Sequence, residues 1–117
     1  MRFNCTGCGE CCRKLGAIKE FVNNGNEKNI PDYMVVGVKE FPYGHNEQGV
    51  CEMLDEDNKC LVYQDRPMLC NLKRIWEEWI TDQTEEEWYS HNMEICNFLM
   101  RMAGTDERFH IKKAYLL

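Results

Sequence analysis

No stretch of eighteen apolar residues occurs in this chain, so no segment is expected to cross a bilayer as a helix. Basic side chains are the minority, with 14 Lys and Arg against 20 Asp and Glu and a net charge of −6. A surface of that sign is badly suited to phosphate backbones, whose binding depends on Lys and Arg. Adjacent basic residues occur only as Arg13-Lys14, Lys73-Arg74 and Lys112-Lys113, so nucleic acid is not an expected partner. The motifs of common catalytic sites are also missing. There is no H-E-x-x-H, no P-loop and no Rossmann glycine pattern. A metal-dependent hydrolase needs an open coordination site and a nearby base, and His91, five residues before Cys96, lies off that cysteine's helical face. Enzymatic activity is therefore the poorest-supported class. The opening Met1-Arg2-Phe3-Asn4-Cys5 has no apolar run resembling a signal peptide, and a cytoplasmic setting, with reduced thiols, is the expectation.

What the chain does have is cysteine. The eight are Cys5, Cys8, Cys11, Cys12, Cys51, Cys60, Cys70 and Cys96, and four of them fall within residues 5–12. Free cysteines usually behave as scattered small hydrophobes, so this density calls for a chemical reason. A C-x-x-C turn presents two thiolates on one side of a knuckle, close enough to bind one soft or borderline metal ion. Two such units share Cys8, and Gly7 and Gly9 suit the tight turns between them. In a reducing compartment metal ligation is favoured over four disulfides or plain core thiols. Cys96, on an apolar helix face, is the best candidate for a core thiol. Cys11 and Cys12 are neighbours whose side chains diverge on a helix or a strand, so they suit two centres or one polynuclear centre. Eight thiolates would satisfy two four-cysteine zinc sites, while six or seven could hold a bridged pair. Each four-thiolate site around a divalent ion would add a formal charge of roughly −2.

The length of 117 residues fits a single domain over 1–117. Its 44% hydrophobic content allows a core, but a small one of the kind that metals often supplement. Leu15, Ile18, Phe21 and Val22 predict a helix over Cys11–Asn24, interrupted by Gly16 and stopped by Gly25. Residues Asn26–Gly49 read as a surface excursion with one short strand, Tyr33–Val38, and His45 as a solvated loop histidine. Two apolar segments flanking Asp55-Glu56-Asp57-Asn58-Lys59 predict a β-hairpin bracketed by Cys51 and Cys60. That acidic turn is no calcium loop, because Cys60 and Arg66 stand where the sixth-position glycine and twelfth-position glutamate belong. A helix is expected over Leu69–Ile80. Another, with the capping box Thr84-Glu85-Glu86-Glu87, is expected to run to about Met102 and stop at Gly104. Trp88, Ile95, Leu99 and Met102 form its apolar stripe, read as core. The tail from Thr105 to Leu117 is amphipathic, able to dock on the domain or on a partner.

The spacing Phe3-x-Cys5-x-x-Cys8-Gly9-x-Cys11-Cys12, then Gly49-x-Cys51-x-x-Leu54 and Cys60-x-x-Tyr63-x-x-Arg66-Pro67-x-x-Cys70, resembles the YkgJ-type cysteine-cluster family, described as zinc- or iron-chelating. The resemblance covers the first 12 residues and positions 49–70, with Cys96 as the later cysteine. It implies metal chelation by these cysteines.

The expected fold is a small α+β domain nucleated by metal, mostly helical with a short β-hairpin and an irregular cysteine knuckle. The expected function is a zinc-binding cysteine-cluster protein with two structural ions held by all eight thiolates. It would present a protein-interaction surface for which Trp76, Trp79, Trp88 and the tail are candidates. The rival reading is an iron–sulfur protein with a redox or cofactor-assisting role, since Cys5-x-x-Cys8-x-x-Cys11 repeats a ferredoxin spacing. Cys12 following at once, with Arg13 rather than proline after it, favours zinc. Arg66 is expected to set a fixed positive charge near the thiolates.

Overall fold

The computed structural model describes residues 1–25 and 27–117 as a mostly helical α+β fold. Strand β1 (Arg2–Phe3) pairs antiparallel with β2 (Tyr115–Leu116), Arg2 opposite Leu116 and Phe3 opposite Tyr115, so the two ends of the chain close on each other. Between them lie α1 (Glu10–Arg13), α2 (Leu15–Asn23), α3 (Asp32–Glu40), α4 (Leu72–Trp79) and α5 (Glu85–Ala103). Short 3-10 turns at Tyr63–Asp65, Met68–Cys70 and Glu107–Phe109 join them.

Helix α5 forms where its caps dictate. The Thr84 side chain accepts from the Glu87 amide while Glu87 reaches back to the Thr84 amide, each at 3.1 Å, and Gly104 closes the helix at φ 71°. The buried face of α5 differs from the expected stripe. Trp88, Tyr89 and Met100 are buried, whereas Ile95 and Met102 are exposed. The helix turns its 88/89–96–100 face inward and leaves the 95–98–102 face open.

The main apolar cluster joins Met68, Ile75, Trp88, Tyr89 and Ala114, with Phe3, Tyr33, Leu72 and Tyr115 packed on it. Phe3 and Tyr89 rings lie 5.7 Å apart, and Tyr33 meets Trp88 edge-on at 5.8 Å. Such pairs add about 1 kcal/mol beyond area burial. The polar atoms of the two buried aromatics are satisfied: Trp88 Nε1 donates to Leu72 O at 2.9 Å, and Tyr89 Oη to Glu85 Oε2 at 2.9 Å. The tail thus docks on its own domain, with Ile111 and Ala114 buried.

The strand expected at Tyr33–Val38 is instead helix α3. Its β-branched valines favour strand locally, but Tyr33 and Val36, three apart, pack together against the main cluster as a helix face requires. Pro31 stands at its start, and Phe41, preceding Pro42, turns extended and ends it. Asn26, which opens that stretch, lies outside the described residues. The hairpin at 51–60 is reduced to a turn. One isolated bridge, Leu54 to Cys60, closes it, and Asp55 Oδ1 accepts from the amides of Asp57 and Lys59. Gly16 has a packing reason: a Cβ there would stand 2.6 Å from the Gly49 Cα, and its amide donates to Gly49 O at 2.9 Å. The 44–50 loop is thereby held on α2, next to the start of the turn that carries Cys51.

Candidate metal centre

The N-terminal knuckle is built by two left-handed glycines, Gly7 at φ 74° and Gly9 at φ 76°, the latter leading directly into α1. This reversal lets the Glu10 amide donate to the Cys8 sulfur, and the Met53 amide does the same to Cys51 Sγ at 3.5 Å. Amides aimed at sulfur are the surroundings a metal-bound thiolate uses to spread its charge.

The knuckle is tied to the 51–60 turn by a polar clamp. Arg13 Nη1 donates to Cys8 O and to Glu10 Oε1, both at 2.8 Å, and Arg13 Nη2 donates to Asn58 Oδ1. Asn58 Nδ2 in turn donates to Gly7 O at 2.6 Å. The fit is tight, since a Cβ on Gly9 would meet the Asn58 amide. Asn58 itself adopts φ 65°, a conformation that asparagine tolerates better than most residues. The Cys51 amide donates to Cys12 O at 2.9 Å, fastening the turn directly to α1. Sequence reasoning missed Asn58 and Arg13. Both were visible only as part of an acidic turn and a basic pair, and their joining depends on a fold-level contact.

Charge interactions link the cysteines across these contacts. Cys11 feels Cys12 first, then Cys5, Cys96 and Cys8, and Cys96 feels Cys5 and Cys8, because α1 packs on α5 and brings the knuckle beside it. Cys12 feels Cys51 and Cys60, and Cys70 feels Cys12, Cys51 and Cys60. Cys12 also feels Cys5. Cys96, expected as a ligand and otherwise the best candidate for a core thiol, feels the knuckle cysteines Cys5 and Cys8.

Desolvation is the main cause that pushes these thiols up: Cys12 and Cys96 to about 11, Cys70 to about 12, and Cys8 and Cys11 also upward. Repulsion from neighbouring thiolates adds to it, while Arg13 beside Cys8 and Cys12, and Arg66 beside Cys70, act the other way. Arg66 braces its own turn, donating from Nε to Tyr63 O and from Nη1 to Cys70 O, each at 3.1 Å, with its guanidinium 4.2 Å over the Tyr63 ring.

As they stand, no three His, Cys, Asp or Glu side chains among the described residues converge closely enough to enclose an ion. The fit to a metal lies in the donor set. The eight thiols are of matched softness, and an ion would have to displace their protons and draw the side chains together. His45 is exposed, with its ring against Gly16. His91 is also exposed and lines a cleft of about 410 Å³ with Trp79 and Trp88, whose lining contains no cysteine. Of the tryptophans expected at an interaction surface, Trp88 is core. Trp76 is half-buried and donates to Gln83 O, and Trp79 donates to Met68 Sδ.

Residues 4–97 match a family model described as "CxxCxxCC: Putative zinc- or iron-chelating domain". No curated protein and no solved structure matches the chain.

Proposed function

Because the chain belongs to this CxxCxxCC family of zinc- or iron-chelating domains, we propose that it holds two zinc ions. One would bind Cys5, Cys8, Cys11 and Cys96, the other Cys12, Cys51, Cys60 and Cys70. The observation that carries this reading is the set of eight cysteines on a chain of this family, twice the four thiolates that a closed zinc site takes. Four thiolates complete a tetrahedral zinc site and leave no open position for substrate, so the role is structural. The ions fasten the knuckle and the 51–60 turn to the helical half of the domain. Arg13 and Arg66 offset the anionic charge that the bound thiolates would carry.

The interaction surface in this reading is the open face of α5. Ile95, Phe98 and Met102 are exposed there, and Leu99 contributes to an apolar groove of about 340 Å³ shared with Ile18 and Met34. The partner proposed is another protein with an apolar face. Of the candidates expected from sequence, Trp88 is engaged in the core, while Trp79 and Leu117 keep exposed surface.

An iron–sulfur reading has one specific observation in its favour. Cys11 feels Cys5, Cys8 and the remote Cys96 while Cys12 feels Cys51 and Cys60, which parallels two-cluster ferredoxins whose fourth motif cysteine ligates the second cluster. Metal analysis beside a visible spectrum, on protein purified without oxygen, separates the two. About two zinc per chain with no visible absorption is expected for closed thiolate sites. Iron with acid-labile sulfide and a brown colour would overturn the zinc assignment.

A further inference from the structure

We propose that the cleft between the start of α3, the end of α4 and the first turns of α5 binds a small, free quaternary ammonium ion. The site contains no cysteine and does not depend on how the thiols bind metal. Its size, its aromatic walls and its unanswered negative charge carry the proposal together.

The cleft holds about 410 Å³, within the range of small-molecule sites. Its aromatic rings come from three separate elements: Tyr33 from α3, Trp79 from α4 and Trp88 from α5. Tyr33 stands at 90° to Trp88 with ring centroids 5.8 Å apart, so the two make a corner rather than a stack. Trp79 brings an exposed ring to the same lining. Both indoles are tethered through their N–H groups, Trp88 to Leu72 O at 2.9 Å and Trp79 to Met68 Sδ at 3.1 Å. Trp76 Nε1 donates to Gln83 O at 3.0 Å and so holds the stretch that carries Asp82. The walls are thus fixed before a ligand arrives, which lowers the cost of binding. With the N–H groups engaged, the rings have their π faces to offer, and these attract a cation.

The charge points to the same ligand. Asp32 and Asp82 line the cleft, and no Lys or Arg lines it with them. Both are exposed, and among the described residues neither carboxylate has an ion pair or a side-chain hydrogen bond. A neutral apolar ligand would leave that charge unanswered. A bare metal ion would lack a cage, since no three His, Cys, Asp or Glu side chains converge among the described residues. A quaternary ammonium ion answers both halves of the lining. Its methyl groups pack on the rings, and its diffuse positive charge needs no acceptor at a fixed angle.

The test titrates the intact protein with choline and, separately, with 3,3-dimethylbutan-1-ol, which puts carbon in place of the quaternary nitrogen and keeps the shape. Buffer at about pH 8 keeps imidazole neutral, so that His91 adds no competing charge. The readout is the NMR shift of the Trp79 and Trp88 indole N–H resonances. Choline is expected to move both saturably and to bind at least about tenfold more tightly than the neutral alcohol. Trp79→Ala should weaken choline by about tenfold, read at Trp88. Asp82→Asn should weaken it by about threefold, the scale of an exposed ion pair. Asp82 has no side-chain bond in the fold, so its variant decides the matter even where Trp79→Ala fails to fold. No saturable shift with choline, equal affinity for choline and the alcohol, or unchanged choline affinity in Asp82→Asn overturns the proposal. None of these outcomes bears on the two-zinc reading.

Discussion

The two sides of this molecule are held by different physics. On one side α4, α5 and the paired termini close over Met68, Ile75, Trp88, Tyr89 and Ala114, with the Trp88 and Tyr89 polar atoms bonded. On the other, the knuckle and residues 41–70 carry every cysteine except Cys96 and contain isolated bridges, 3-10 turns and side-chain clamps. The first side has the dense apolar contact from which small domains draw most of their stability. The second brings together thiols that burial and mutual repulsion disfavour as thiolates, an arrangement that a bound cation would reverse. Apolar burial accounts for one side, and a ligand is the missing term on the other.

The largest expected effect is that of chelation. Stripping metal from reduced protein should strip hydrogen-exchange protection from amides in the clamped loop, such as Cys51, Leu54 and Leu61, while amides near Trp88 and Met100 keep theirs. Loss of both together would show one cooperative unit and dissolve the contrast. Trp88→Ala attacks the other side. It should cost about 3–5 kcal/mol in urea unfolding, with zinc per folded chain unchanged. A loss of zinc binding in the folded variant would mean that the apolar side also builds the site.

The thiols give the contrast a pH signature. Their folded pKa values in the metal-free protein, about 11 for Cys12 and Cys96 and about 12 for Cys70, lie above the ordinary 9.0. The native chain therefore keeps protons that the unfolded chain gives up, and the stabilisation present below pH 9.0 is lost as pH rises toward 12. Tyr33 and Tyr89, also raised by burial, begin from 10.0, so the decline between pH 9.0 and 10.0 reports chiefly on the thiol side. A urea midpoint of the metal-free protein that stays flat across that interval would contradict the burial of these thiols. The smallest expected effect belongs to Arg66→Met. It should speed zinc loss to a chelator by about tenfold with little change in the metal-free fold. Unchanged retention would leave Arg66 as a brace for the Tyr63–Cys70 turn alone.

The parts legible in the sequence were those coded locally. Thr84, Glu87 and Gly104 marked both ends of α5 because caps are short-range bonds. The CxxCxxCC spacing likewise announced a family that the match over residues 4–97 bears out. Local signals failed where packing decided. Tyr33–Val38 looks like a strand by propensity and is a helix because Tyr33 and Val36 must face the same core. Ile95, Leu99 and Met102 have core spacing, yet the face that α5 buries is set by where α1 and the tail lie, and that information is not in the helix. The packing of α1 on α5, which brings Cys96 toward the knuckle, joins distant parts of the chain, and no periodicity encodes it. The clamp from Arg13 through Asn58 to Gly7 was invisible for the same reason.

Zinc X-ray absorption on the fully loaded, reduced protein decides whether the proposed pair of four-thiolate centres forms. Four sulfur neighbours per ion at about 2.3 Å, with no metal in the nearest shells, are expected. A short metal–metal distance, a nitrogen or oxygen neighbour, or a signal carried at the iron edge would contradict that pair.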